Sequence, residues 1–228
     1  VMYCISFGRI ITGGKQLNNR SEKTLRLVQL ALFSAIIMIM AFIPYLGYIP
    51  LGFMNATIIH IPVILGALFL GPKMGAILGF VFGLTSLLNN TLNPNITSFV
   101  FSPFYTAGGI HGGINSLIVC FVPRILIGVL ACFVFRLILK LLKEKKGAKT
   151  IAFAFAGVVG SLTNTLLVMN GIYFLFGTSY SEAKGIAADA LYGLILTVIG
   201  TQGIPEAIVA GILVTGIGQV LNKMKHTE

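Results

Sequence analysis

Long apolar runs, separated by short polar or charged connections, dominate the chain. Crossing the hydrocarbon core of a bilayer takes about 20 helical residues. Only 10% of the residues are charged, against about 25% in soluble domains. Residues 24–228 are therefore predicted to form a single domain, an all-α integral membrane protein with six transmembrane helices in a compact bundle. The predicted spans are residues 25–43, 58–71, 74–90, 117–140, 150–176 and 203–222.

A seventh apolar stretch, residues 184–200, contains Lys184 and Asp189 and ends in Gly-Thr-Gln-Gly. The positive-inside rule decides how it is interpreted. With six spans, both termini are cytoplasmic and nearly all Lys and Arg residues lie on that side, whereas a seventh span would export the C-terminal lysines. Residues 184–200 are therefore predicted to form an extra outer helix that lies at the membrane interface.

The net charge of +10 is interpreted as membrane topology, because the cations sit in short clusters between apolar runs rather than on the basic face of a folded module. No nucleic-acid partner is predicted. Residues 1–23 are predicted to be a cytoplasmic leader or a non-native remnant. The three cysteines lack metal-ligand spacing, and no phosphate-binding loop or catalytic triad pattern occurs. The chain is thus expected to bind no metal or cofactor and not to be an enzyme.

Strong hydrogen-bonding side chains gather toward the outer ends of the predicted spans. Polar groups in a bilayer are costly unless they face a cavity or one another, so their common depth predicts an outward-facing pocket. The connection between spans three and four is expected to supply an apolar cover for a ligand through Phe99, Phe101, Phe104 and Tyr105. The predicted substrate-binding residues are Asn55, His60, Asn90, Phe101, Arg124 and Asn164.

Other interpretations of single residues stay open. Arg124 follows Pro123 and is also compatible with a side chain that snorkels to the interface. Glu206, after Pro205, suits a helix N-terminus, and His60 suits an ordinary interhelical hydrogen bond. Pro62 indicates that regular helix begins close to His60, which leaves about ten helical residues before Gly71-Pro72-Lys73.

Several segments together resemble the substrate-binding (S) component of energy-coupling factor (ECF) vitamin transporters. They are "ALFSA" in span one, "IPVILGALFLGPKMGAILGFVFGL" across spans two and three, "PRILIG" opening span four, "TNT" in span five and "IPEAIVAGILV" in span six. The resemblance covers nearly the whole chain after residue 24. "TIIHIP", "FSPF" and "TNT" look most like the pantothenate-specific members.

The resemblance implies a bacterial plasma-membrane protein that captures a vitamin from outside and docks on a transmembrane coupling (T) component with two ATPases. It also implies delivery by toppling within the membrane when the partners hydrolyse ATP. The family's Ala-x-x-x-Ala docking motif falls on Ala31 and Ala35, where small residues four apart allow close helix approach. Packing within the chain explains the same spacing, and Gly75 and Gly79 repeat it.

Alternative functions remain at this stage. Within the family, the ligand is alternatively hydroxymethylpyrimidine, riboflavin or folate. A different class, a stand-alone membrane channel or a membrane-embedded enzyme, is less favoured. A channel needs polar residues along its whole path, whereas here they stop halfway, and an enzyme needs a nucleophile–base or paired-carboxylate set.

Overall fold

The computed structural model describes residues 19–43, 47–50, 55–107, 110–143, 145, 147–187 and 189–224. Most of these residues are helical, which confirms the predicted class. A 3₁₀ turn, Ser98–Val100, lies between α3 and α4, and a π-helical segment, Ile199–Gly203, lies between α6 and α7. The helices are α1 Asn19–Phe42, α2 His60–Leu70, α3 Pro72–Leu92, α4 Ile114–Leu141, α5 Ala148–Lys184, α6 Leu191–Val198 and α7 Ile204–Met224.

Two short antiparallel hairpins lie in the connections at one end of the bundle. Strand β1 (Tyr48–Pro50) pairs with β2 (Asn55–Thr57) between α1 and α2. Strand β3 (Thr106–Ala107) pairs with β4 (Ile110–His111) between α3 and α4. The hairpins give these connections backbone hydrogen bonds where they cover the helix ends.

Five apolar helical stretches of the described residues are long enough to cross a membrane: Glu22–Phe42, Pro72–Leu92, Ile114–Leu141, Ala148–Lys184 and Leu191–Met224. Helix α2 is apolar but has only 11 residues, a length of about 16 Å. It matches the prediction that about ten helical residues follow His60. The count of six spans remains a prediction because α2 is too short to cross unaided. The predicted leader, 1–23, lies mostly outside the described residues, and α1 already begins at Asn19.

A tight turn reverses the chain between α2 and α3. Gly71 has φ +101°, which a residue with a Cβ rarely adopts, and Pro72 occupies the first turn of α3, where its missing N–H costs nothing. Helix α3 then packs closely on α4. A Cβ on Gly79 would overlap the Arg124 carbonyl oxygen, and one on Gly128 would come within 2.7 Å of the Gly75 carbonyl oxygen. Gly75 and Gly79 therefore serve packing inside the bundle.

The end of the chain differs from the prediction. Helix α5 continues eight residues past the predicted limit of 176, through a kink at Phe176, to Lys184. After a turn, the chain is helical from Leu191 through the π segment to Met224, so the separate outer helix predicted at 184–200 is wrong. Gly-Thr-Gln-Gly looked like a helix end, but the wider π turn keeps the helix continuous there. Leu191 and Ile195 are buried against the extension of α5.

The interior is divided along the bundle axis. One part is an apolar core in which Phe153 lies 6.3 Å from Phe69 and 5.0 Å from Phe135, measured between ring centroids. Most of the buried polar side chains of the described residues lie from the middle of the bundle toward the opposite end, although Gln29 and Arg136 each bury a polar atom in the other half. The majority includes Ser86, Ser116, Arg124 and Asn164. The predicted one-sided distribution of polar groups is thus present in the fold.

Candidate functional site

A cavity of about 430 Å³ opens at the polar end of the bundle. Pockets for small molecules commonly measure about 300–1,000 Å³. The cavity is lined from β2, α3, the α3–α4 connection, α4, α5 and the α6–α7 helix. Its lining residues are Thr57, Ser86, Asn90, Asn95, Ile96, Thr97, Phe101, Arg124, Asn164, Thr165, Val168, Met169, Ile172, Tyr180, Lys184, Val198, Gln202, Gly203 and Glu206.

Arg124 is held inside the bundle by the proline that precedes it. Pro123 lies within α4 and has no N–H, so it leaves the carbonyl oxygen of Val119, four residues earlier, without its usual helical donor. The Arg124 Nη1 donates to that oxygen at 2.7 Å. Only 6% of Arg124 is exposed. The structure therefore contradicts the snorkelling interpretation and accounts for the Pro-Arg pair.

Two aromatic rings flank the Arg124 guanidinium. Its central carbon lies 4.9 Å from the ring centroid of Phe101 and 5.6 Å from that of Phe82. These distances are typical of cation–π contacts, which strengthen where water is excluded. The arrangement presents a positioned cation at the cavity wall, suited to binding an anionic group.

Helix α5 supplies the central wall. Asn164 is 8% exposed, and its Oδ1 has no hydrogen-bond partner among the described residues; the Ser161 hydroxyl, one turn earlier, has none either. A buried amide oxygen without a partner costs roughly 1–3 kcal/mol. Because Asn164 also lines the cavity, the vacant acceptor is available to a donor group on a ligand.

Asn90 organises the connection that closes one side of the cavity. Its Nδ2 donates to the Ser86 carbonyl oxygen at 2.8 Å, and its Oδ1 accepts from the Ser98 hydroxyl at 2.9 Å. The Ser116 hydroxyl donates to the Phe99 carbonyl oxygen at 2.6 Å. These bonds tie the 3₁₀ turn to α3 and α4, which positions Phe101 over Arg124.

The π segment brings residues to the cavity that the sequence prediction missed. Pro205 cannot donate to the preceding turn, and the chain there widens so that the Ile204 N–H bonds the Ile199 carbonyl oxygen, five residues back. Gln202, Gly203 and Glu206 line the cavity as a result. Proline after a Gly-Thr-Gln-Gly stretch is a signal for such a bulge, which often occurs at functional sites.

Glu206 connects two distant parts of the chain. Its Oε1 accepts the backbone N–H of Thr57 at 2.6 Å, across 149 residues. Because α6 and α7 form one continuous helix, Glu206 does not sit at a free helix N-terminus. The carboxyl group instead anchors the end of β2 to α7 beside the cavity.

The structure brings together four of the six predicted site residues: Asn90, Phe101, Arg124 and Asn164 line one cavity. His60 does not line it. His60 is 1% exposed in the first turn of α2, and neither ring nitrogen makes a hydrogen bond of good geometry with a described residue. The Asn55 side chain lies outside the described residues. No observation tests ligand binding by these residues, so their roles stay predictions.

The aromatic cover predicted on the α3–α4 connection is only partly present. Phe101 lines the cavity, but Phe99 is fully buried behind it and packs edge-on against Phe176, with ring centroids 5.9 Å apart. Phe104 is 77% exposed and is not among the described lining residues. Apolar lining comes instead from α5, through Val168, Met169 and Ile172.

Comparison with known proteins is decisive for the family. Residues 25–218 match the protein family described as ECF transporter, substrate-specific component. The chain belongs to this family. ECF substrate-specific components are parts of transporters rather than enzymes, which confirms that prediction. With the apolar helices, the membership indicates a bacterial plasma-membrane protein.

Two similar proteins are named as pantothenate transporters. The pantothenic acid transporter PanT of Lactococcus lactis subsp. cremoris (strain MG1363) is 36% identical over 173 residues, 75% of this chain and 80% of the relative. The pantothenate transporter PanT of Leuconostoc mesenteroides subsp. mesenteroides is 33% identical over 207 residues, 88% of this chain and 94% of the relative.

The Ala31–Ala35 pair of this ECF component lies on the outward side of α1. Ala31 is exposed and Ala35 is half-buried, while Ile37 and Ala41 face the core. Neighbouring Val28 and Leu32 are each 59% exposed. The face is thus apolar and accessible, as a membrane-embedded face must be, whether lipid or another helix covers it.

Proposed function

We propose that the chain is the pantothenate-binding component of an ECF importer and that the cavity beside Arg124 and Asn164 is its binding site. The observation that carries this is a vitamin-sized polar cavity at one end of a bundle whose other end is a packed apolar core. The names of the two relatives support pantothenate as the ligand. Six spans with both termini cytoplasmic would place the cavity outside.

Pantothenate matches the chemistry of the cavity wall. Its carboxylate suits the Arg124 guanidinium, because a charge-assisted hydrogen bond to a fixed cation is about twice as strong as a neutral one. Its amide N–H or a hydroxyl suits the vacant Oδ1 of Asn164. Its gem-dimethyl group suits the apolar surface of Val168, Met169 and Ile172.

Larger aromatic vitamins suit the cavity less well. Riboflavin and folate carry flat ring systems that bind best between aromatic faces. Phe101 and Tyr180 are the aromatic residues among the described lining, and the Arg124 guanidinium already lies over the Phe101 ring. Hydroxymethylpyrimidine is smaller, and pantothenate has the anionic end that Arg124 favours. A binding panel of these four compounds against the purified chain separates the candidates directly.

A stand-alone channel is disfavoured by the packing below the cavity. Ile64, Leu68 and Phe153 are at most 1% exposed and occupy the bundle interior where a continuous path would run. Transport therefore requires the whole site to move relative to the membrane. Toppling of the component on partner subunits that hydrolyse ATP meets this requirement.

Asn164→Ala is expected to weaken pantothenate binding by roughly 3- to 10-fold, the value of one neutral hydrogen bond of about 0.5–1.5 kcal/mol. Isothermal titration calorimetry measures this without tryptophan, which the chain lacks. Asn170→Ala is the matched control, because Asn170 lies on the same helix, is exposed and bonds only the Leu166 carbonyl oxygen among the described residues. Equal affinity of the Asn164 variant and wild type contradicts the site.

Docking on the T component is proposed to use the outward face of α1 at Ala31 and Ala35. Replacing both by Leu adds bulk where a partner helix must approach closely. The double variant is expected to bind pantothenate normally but to lose co-purification with the T component and ATPases. Gly216→Leu is the control, since Gly216 on α7 is exposed with nothing within 4 Å of its Cβ position. Unchanged co-purification of the double variant places docking elsewhere.

A further inference from the structure

The cavity is lined by basic and acidic side chains from different helices. Among the described lining residues, the basic groups are Arg124 and Lys184, and the acidic group is Glu206. Helix α5 packs against both α4 and α7 and lies between them. Arg124 on α4 and Glu206 on α7 thus line the cavity from two different helices, each of which packs against α5. Lys184 is exposed at the end of α5, where solvent screens its charge.

The carboxyl group of Glu206 is held in place rather than mobile. Its Oε1 accepts the Thr57 N–H at 2.6 Å. Thr165 lies beside it on α5 and packs against Gly203 of the π segment, where a Cβ would come within 2.8 Å of the Thr165 methyl group. In its ionised form, a carboxyl group fixed in this way accepts hydrogen bonds and repels a nearby anion.

We propose that Glu206 sets the charge selectivity of the site: it accepts hydrogen bonds from the uncharged hydroxyl end of the ligand and rejects a second anionic group there. This rests on the proposed function, with the carboxylate of pantothenate at Arg124 and its hydroxyls directed to the α7 wall. The site then selects monoanions whose opposite end donates hydrogen bonds. A phosphate monoester of the primary hydroxyl carries a second anionic group at that end of the molecule and is excluded from uptake.

The test compares pantothenate with three derivatives by calorimetry on the full chain. They are the phosphate ester and the acetate ester of its primary hydroxyl, and the alcohol in which the carboxylate is replaced by a hydroxymethyl group. Wild type is expected to bind the phosphate ester on the order of 100-fold more weakly than pantothenate, because juxtaposed like charges are strongly unfavourable. The neutral acetate ester, which also adds bulk, is expected to bind at least tenfold better than the phosphate ester.

Glu206→Gln keeps the size of the side chain and an oxygen for the Thr57 N–H but removes the charge. In this variant, the ratio of the dissociation constant of the phosphate ester to that of pantothenate is expected to be at least tenfold smaller than in wild type. The loss of affinity for the alcohol relative to pantothenate is expected to stay the same as in wild type, because that loss arises from the missing carboxylate contact with Arg124. Glu182→Gln is the control, since Glu182 is exposed and outside the described lining.

Each outcome decides a different point. The inference about Glu206 is overturned if Glu206→Gln leaves the affinity ratio of the phosphate ester to pantothenate unchanged. It is also overturned if wild type binds the two compounds with equal affinity. Neither result affects the proposed function. If Glu206→Gln does not fold, the comparison of the phosphate ester with the acetate ester on wild type still tests the inference. Equal affinity for the two esters means that size rather than charge excludes them, which overturns the inference. Absence of pantothenate binding by wild type overturns the proposed function and this inference with it.

Discussion

Arg124→Ala is expected to weaken pantothenate binding by roughly 10- to 150-fold, the value of a hydrogen bond to a charged group at about 1.5–3 kcal/mol. The substitution removes the only buried cation among the described lining residues and the group that Phe82 and Phe101 flank. It also leaves the Val119 carbonyl oxygen without the Nη1 donor at 2.7 Å. Both affinity and folding stability are therefore expected to fall.

A second substitution separates the two effects. Pro123→Ala restores an N–H in α4 at the position that bonds the Val119 carbonyl oxygen in a regular helix. The double variant Pro123→Ala with Arg124→Ala is expected to regain thermal stability but not pantothenate affinity. Thermal unfolding in detergent and calorimetry give the two readouts. Recovery of affinity along with stability shows that Arg124 acts only by stabilising the fold.

Gly79→Val is expected to prevent stable folding. A Cβ on Gly79 would overlap the Arg124 carbonyl oxygen and lie 2.7 Å from the Ile125 Cα, so the obstacle is backbone that cannot rotate away. Overpacking costs about 1–3 kcal/mol where side chains can adjust, and here α3 and α4 must separate. The expected result is loss of monodisperse protein in size-exclusion chromatography of detergent extracts.

Gly216→Val provides the matched control for this variant. Gly216 also lies within a transmembrane helix, and nothing lies within 4 Å of its Cβ position. Both variants place the same β-branched residue in a helix, so a difference between them reports the α3–α4 contact. Normal yield and a sharp unfolding transition for Gly79→Val contradict the close packing of α3 on α4.

The class of fold was predictable because the bilayer imposes it. Lipid offers no hydrogen bonds to the backbone, so apolar runs of sufficient length must be helical. The depth of each polar residue in the membrane follows from its position along its helix. The sequence alone therefore places Asn90, Arg124 and Asn164 toward the same end of the bundle. The turn at Gly71-Pro72 was also predictable from the sequence. Glycine adopts a positive φ without strain, and proline is favoured in the first turn of a helix.

The arrangement around the cavity depends on contacts between distant segments. The same Pro-Arg pair suits either a snorkelling side chain or an internal one, and the Phe82 and Phe101 rings decide between them. The Gly-Thr-Gln-Gly stretch looked like a helix end, yet Leu191 and Ile195 pack on α5 and stabilise a continuous helix with a π turn. Local pattern cannot resolve such cases because each alternative satisfies local rules equally well.

Hydrophobicity and spacing along the chain thus account for the membrane helices, the tight turn and the one-sided polarity, since these follow from how a single helix meets lipid and water. The pairing of Glu206 with Thr57 across 149 residues, and the division of charge between the α4 and α7 walls, depend on how helices pack around α5. Packing selects among conformations that are locally equivalent, and that selection is what turns a polar helix end into a binding cavity.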